Sequence, residues 1–175
     1  MTDDRSHAYA EALLAVARSE GNLAEVEDEL FRFARVLEAN DDLRTTLTDA
    51  ALPVSRRQQI VEDLLGGQAN PTTTALVSMV VGTGRSRDLP AIIDELVKLS
   101  AAEGNREVAE VRSAVPLTDD QKQRLATALE ANTGKKVELK VIIDPTVLGG
   151  LVAQVGDTVI DGSIKTRLQQ LKTAF

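Results

Sequence analysis

Four stretches of this sequence carry residue types that could do chemistry. The richest is Asp144–Leu171, DPTVLGGLVAQVGDTVIDGSIKTRLQQL. It joins a glycine pair (Gly149, Gly150), a Gly156-Asp157 step and the polar run Asp161-Gly162-Ser163 ahead of a basic helix. A glycine-rich segment leading into a helix N-terminus can hold a phosphate. Neither GxxxxGK[ST] nor GxGxxG is present, and Asp157 and Asp161 would repel an anion. The stronger reading is a hairpin followed by a capped helix. Gly156-Asp157 separates two short apolar runs, Leu151–Val155 and Thr158–Ile160, and Gly at the first turn position suits a II′ turn. The glycine pair suggests a bulge or a close backbone approach. Asp161 or Ser163 can cap the last helix.

The other three stretches weaken on inspection. Thr133-Gly134-Lys135-Lys136 looks like the end of a phosphate loop, but it lacks the upstream glycine and follows a helix, so it reads as a C-cap with lysines that complement the dipole. Asp41-Asp42 could pair as acid and base, but directly after Asn40 it reads as a helix start, where carboxylates meet free N–H groups. His7 is the one histidine and there is no cysteine. That removes His- and Cys-ligated metal sites and disulfides, and no G-x-S-x-G elbow accompanies the histidine. No catalytic residues, metal or cofactor are nominated, and the expectation is a non-catalytic protein.

The elements that must carry these residues fall into two sets. Up to Gly104 the periodicity is helical. Residues 6–19 form a first helix with Ala8, Tyr9, Ala12, Leu13, Val16 and Ala17 on one side, either a core stripe or one wall of a groove for a foreign helix. Asn22 with Glu25, Ser55 with Gln58, and Thr118 with Gln121 are capping-box pairs. Leu23, Val26, Leu30, Phe33 and Leu37 make a sharp seam, and a short helix follows with Leu43 and Leu47. Ile60, Val61, Leu64 and Leu65 lead to Gly66-Gly67. Asn70-Pro71 opens a helix over 72–81 whose Ala75, Leu76, Val77, Met79, Val80 and Val81 are apolar nearly all round, so it is central or has one face awaiting a partner. Asp88 and Pro90 start a sixth helix with Leu89, Ile92, Ile93, Leu96, Val97 and Ser100 inward. After Gly104-Asn105 the period changes to β. A strand over Glu107–Val115 buries Ala109, Val111 and Val115; a helix carries Leu125, Ala128 and Leu129; and Val137, Leu139, Val141 and Ile143 line one face of the clearest strand. The fold class is mainly α: a six-helix bundle, 1–105, plus a small α+β domain, 106–175, in the order β-α-β-β-β-α.

Net charge −7 and 2% aromatic residues argue against nucleic acid and against adhesion to anionic lipid, although Lys165, Arg167 and Lys172 gather in the last helix. No apolar run approaches the ~20 residues of a membrane span. The opening MTDDRSHAYAEALL is acidic and lacks a signal-peptide layout, so a cytoplasmic location is expected.

Three stretches resemble one family. They are Tyr9-Ala10-Glu11-Ala12-Leu13; Gly84-Arg85 followed by Leu89, Ile92, Ile93 and Leu96; and Asp144-Pro145 through Gly149-Gly150, Gly156-Asp157, Ile160-Asp161-Gly162-Ser163-Ile164 and Arg167-Leu168. The sequence resembles the delta subunit of bacterial F-type ATP synthase, whose mitochondrial counterpart is the oligomycin sensitivity-conferring protein. The family often has Phe-Leu and Asn-Gly where this chain has Leu76-Val77 and Thr83-Gly84. The resemblance implies a stator subunit that links the catalytic hexamer to the peripheral stalk, peripheral on the cytoplasmic face of the membrane. It implies an alpha-subunit N-terminal helix in a groove of the first and fifth helices, with Ala8, Tyr9, Ala12, Val16, Leu76, Met79 and Val80 at the interface. It implies that the C-terminal domain meets the end of the b-subunit stalk, and that Gly149, Gly150, Gly156, Asp157, Asp161, Ser163 and Arg167 are a family signature. The rival expectation is a free helical adaptor whose α+β domain binds a regulatory ligand or anion near Gly149-Gly150 or Ser163.

Overall fold

A computed structural model describes residues 2–147, 149–156 and 158–161. Asp157, Ser163, Arg167 and the expected last helix lie outside the described residues. The chain divides into two compact units, Met1–Ser100 and Ala101–Phe175.

The first unit is helical: α1 (Thr2–Ser19), α2 (Leu23–Ala39), α3 (Asp41–Thr48), α4 (Val54–Leu65), α5 (Pro71–Gly82), a 3₁₀ turn (Ser86–Asp88) and α6 (Leu89–Glu103), which begins here and crosses the division. The leucine seam of α2 is in the core as its spacing predicts, with Val26, Leu30 and Leu37 at 0–1% exposure. α6 buries Leu89, Ile92, Ile93, Leu96 and Val97. α5 has a broad buried face: Thr73, Val77, Val80 and Val81 are fully buried and Leu76 nearly so. Its start follows the sequence signal, with the Asn70 side chain accepting from Thr72 N–H at 2.9 Å and Pro71 in the first turn. Asn40 caps α3 in the same way through Leu43 N–H.

Two expected capping boxes are not formed. Asn22 makes no cap bond to α2. Its amide instead donates to Asn70 Oδ1 at 3.0 Å and Thr72 Oγ1 at 3.2 Å. Glu25 turns the same way and accepts from the Asn70 amide, while Glu29 accepts from Asn70 N–H and the Thr73 hydroxyl. Two carboxylates therefore face the positive end of α5, where they complement its dipole. Helix α4 starts one residue ahead of Ser55, after Pro53, and Gln58 reaches across to donate to the Ser78 carbonyl at 3.1 Å. In both cases a tertiary partner outbids the local one. Glu27 is a further departure. It sits on the buried seam at 3% exposure and accepts a 2.6 Å hydrogen bond from the Ser100 hydroxyl on α6.

The second unit holds β1 (Arg106–Ser113), α7 (Asp119–Thr133), β2 (Lys136–Ile143), β3 (Leu151–Val155) and β4 (Thr158–Asp161). The sheet order is β2-β1-β3-β4; β1 and β2 are parallel and joined through α7, and the other pairings are antiparallel. The Thr118–Gln121 capping box is complete, and Gly134 at φ +70 ends α7. Val155 pairs with Thr158, which leaves the two-residue hairpin loop that Gly156, at φ +56, predicts. The core joins Ala109, Val111, Leu129, Val137, Ala153 and Val155, with Leu125 and Ala126 packed against it.

Four details correct the sequence reading. Ala126, not Ala128, faces the sheet, and Ala128 is exposed. β1 ends at Ser113, so Val115 lies beyond it at 63% exposure, and Ile143 is 48% exposed at the end of β2. The sheet's second face is not simply solvated: Lys140 is 4% exposed, with Nζ 3.0 Å from Glu138 Oε1. Gly149 and Gly150, at φ +64 and +90, lie in the connection before β3 and form a turn, not a bulge in a strand.

Asp144 organises the start of that connection. It accepts from the Thr146 hydroxyl at 2.6 Å and the Thr146 N–H at 2.9 Å. These bonds, with a smaller contribution from Arg112, hold its carboxyl below the ordinary value of 3.8.

Among the described residues, no helix is long and apolar enough to cross a membrane, and no group of three His, Cys, Asp or Glu could hold a metal ion.

Two outcomes follow. Asn70→Ala removes a helix cap and the junction with Asn22 and Glu25, so urea unfolding should show a loss of about 1–3 kcal/mol; a loss under ~0.5 kcal/mol would mean the junction is ornamental. Because the folded-state value of Asp144 is depressed, its contribution to stability is present above the ordinary value and fades as pH falls through the lowered one. Thr146→Val should raise the Asp144 carboxyl midpoint in an NMR titration; an unmoved midpoint would show that the Thr146 hydroxyl is not the cause.

Candidate functional site

Helix α1 is apolar on two sides. Ala10, Leu13, Leu14 and Ala17 are buried, at 0–5% exposure. Ala8, Ala12, Ala15 and Val16 are exposed, Val16 at 41%. At 100° per residue these four fall within an arc of roughly 100° opposite the core. The expectation had put Ala8, Ala12 and Val16 on one side with Leu13 and Ala17; the structure separates them. Energy explains which side goes in. Burying a leucine gains roughly 2 kcal/mol more than burying an alanine, so Leu13 and Leu14 decide the rotation of the helix. Tyr9 borders the outer stripe half-buried, with Glu11 on the other flank.

On α5 the three expected interface residues part company. Leu76 and Val80 are 3% and 0% exposed and belong to the bundle's own core, whereas Met79 is 42% exposed. Met79 and Ala75, one turn apart, lie in an open cleft of about 630 Å³ whose other wall is Gln58, Glu62 and Gly66 of the α4 region. The tie between the α1 end of the chain and α5 is Asn22, which follows α1 and bonds Asn70 and Thr72.

Sequence reasoning did not single out Ala15 or Ala75 as outward residues. The signal was there: Ala15 completes the spacing Ala8, Ala12, Ala15, Val16, and Ala75 stands four residues before Met79.

Of the signature residues, Gly149, Gly150 and Gly156 are turn positions with positive φ, and Asp161 ends β4 opposite Val152. For the three glycines these are backbone roles. Among the described residues, the cleft that holds the exposed α5 pair is lined from the α4 and α5 regions and by no residue of α1, so the structure does not bring the pair and the α1 stripe into one pocket.

Comparison with known proteins identifies the family. Residues 6–175 match the family described as ATP synthase delta (OSCP) subunit. The chain is 47% identical over 159 residues to "ATP synthase subunit delta" of Streptomyces avermitilis, covering 91% of this chain and 58% of that protein. It is 44% identical over 162 residues to the protein of the same name from Nocardia farcinica, covering 93% of this chain and 60% of that one. The chain thus spans under two thirds of the length of these relatives. Its fold is also similar to a chain in the cryo-EM structure of the Toxoplasma gondii mitochondrial ATP synthase hexamer, with a TM-score of 0.56, 23% identity and coverage of 97% and 96% of the two chains. With the helical unit, the small mixed sheet and the glycine turns all in place, the family match over nearly the whole length makes this chain a member of the ATP synthase delta (OSCP) subunit family.

Proposed function

We propose that the chain is a non-catalytic stator subunit that joins the catalytic alpha/beta hexamer of an F-type ATP synthase to its b-subunit stalk, peripheral on the cytoplasmic face of the cell membrane, and so supports proton-driven ATP synthesis. The observation that carries the reading is the outer stripe of α1. Ala8, Ala12, Ala15 and Val16 have no role in the core and are exposed together. The proposed occupant is the amphipathic N-terminal helix of an alpha subunit, with Tyr9 and Met79 as further contacts; Leu76 and Val80 would support that surface from beneath. Rotor torque has to be opposed by contacts that outlast many turnovers. A nanomolar dissociation constant, about −12 kcal/mol, suffices for such a joint and is within reach of a few buried apolar anchors.

The second contact is proposed for the α+β unit, toward the end of the b subunit. Val115 and Ile143 support it: both are exposed, and they lie at the end of the sheet where Ser113 pairs with Ile143.

Ala12→Asp places a charge in the stripe at an exposed position, so the fold should survive. Calorimetry with the alpha N-terminal peptide should then show affinity reduced about tenfold or more, a cost of at least ~1.4 kcal/mol; unchanged affinity with an unchanged circular-dichroism spectrum would sink the groove assignment. Ile143→Lys should weaken capture of the b subunit from solubilised membranes and leave alpha-peptide binding intact. Full b capture by that variant would move the stalk contact elsewhere.

A further inference from the structure

The single histidine stands between two carboxylates on different helices. His7 Nδ1 is 2.8 Å from Glu95 Oε1 on α6, and Nε2 is 3.4 Å from Glu11 Oε1 one turn further along α1. A neutral imidazole has one N–H and one bare lone pair, and a carboxylate oxygen only accepts. Whichever nitrogen donates, the neutral ring presents a lone pair to the other carboxylate. Only the imidazolium presents an N–H and a positive charge to both, as a hydrogen bond to Glu95 and an ion-pair contact at 3.4 Å to Glu11. Glu11 from α1 and Glu95 from α6 are two charged groups that the ring contacts.

The geometry points to His7 as a proton-operated clasp between α1 and α6, closed when the ring is protonated and loosened when it is not. The sign follows from linkage. A proton held more tightly in the folded state adds stability that is complete below the ordinary histidine value, about 6.5, and is lost as pH rises through the folded-state midpoint. His7 and Glu11 are partly and largely exposed, at 43% and 63%, so the effect is local to α1 and weakens in salt. The clasp concerns how α1 is held, and it stands or falls separately from what docks on the stripe.

One histidine gives one imidazole Hε1 signal, so an NMR pH titration of the full chain reads it directly. The midpoint should lie above ~6.5, fall on Glu95→Gln, and fall less on Glu11→Gln, whose contact is longer. A wild-type midpoint at or below that value, or one that Glu95→Gln leaves in place, overturns the proposal. Amide exchange reads the mechanical consequence. The α1 amides of the wild type should exchange several-fold more slowly than those of His7→Gln at pH 5.5 and equally fast at pH 8.5. A difference between the two proteins that is the same at both pH values also overturns it.

Discussion

Burial of the broad apolar face of α5 is the constraint from which the helical unit follows. A helix that carries Leu76, Val77, Val80 and Val81 within two turns has a broad apolar face that must be covered, and only the side bearing Ala75 and Met79 stays exposed. Its N-terminus then enters the packed region with free N–H groups that need acceptors. Asn70 and Glu29 supply them, and Asn22 and Glu25 extend the junction to the start of α2. The same demand explains why Asn22 abandons its own helix. The turn is made by the amide alone: its N–H groups reach Asn70 and Thr72, while Asn22 Oδ1 stays buried without a hydrogen-bond partner.

Most of the fold was legible because the strongest signals are large and periodic. The seams of α2 and α6, the Asn70-Pro71 start, the Thr118–Gln121 box and the Gly156 hairpin all appear where spacing put them. What failed has one cause in each case. Asn22 and Gln58 look like capping residues because local pattern cannot see a competing partner on another helix. Val115 and Ile143 were assigned to a buried face because alternation does not say where a strand ends. The parallel pairing of β1 with β2 was not read at all, since pairing is a property of two distant segments.

The candidate site was legible as a list and not as a surface. Seven residues were named on α1 and α5, and helical spacing alone could not sort those facing out from those facing in. On α1 both stripes obey the same i, i+4 rule, and only side-chain volume separates them. On α5 the residues are apolar in every direction, so periodicity carries no orientation, and Met79 is distinguished from Val80 solely by the neighbours that cover one of them.

The composition of the outer stripe bears on why it can exist in the unbound chain. Leucines at Ala8, Ala12 and Ala15 would compete with Leu13 and Leu14 for the core and blur the rotation of α1. They would also expose a patch prone to association. Alanine avoids both problems, since it loses little by standing in water and is the strongest helix former. It also lets a second helix approach closely, because the distance between packed helix axes is set by the side chains at the contact. A surface of this kind would add many close contacts, made at once, around the few apolar anchors that a docking helix inserts. Close packing of this kind is broken by a single misplaced charge or bulky group, so on the proposed docking a substitution in the stripe would be felt in the complex before it was felt in the free chain.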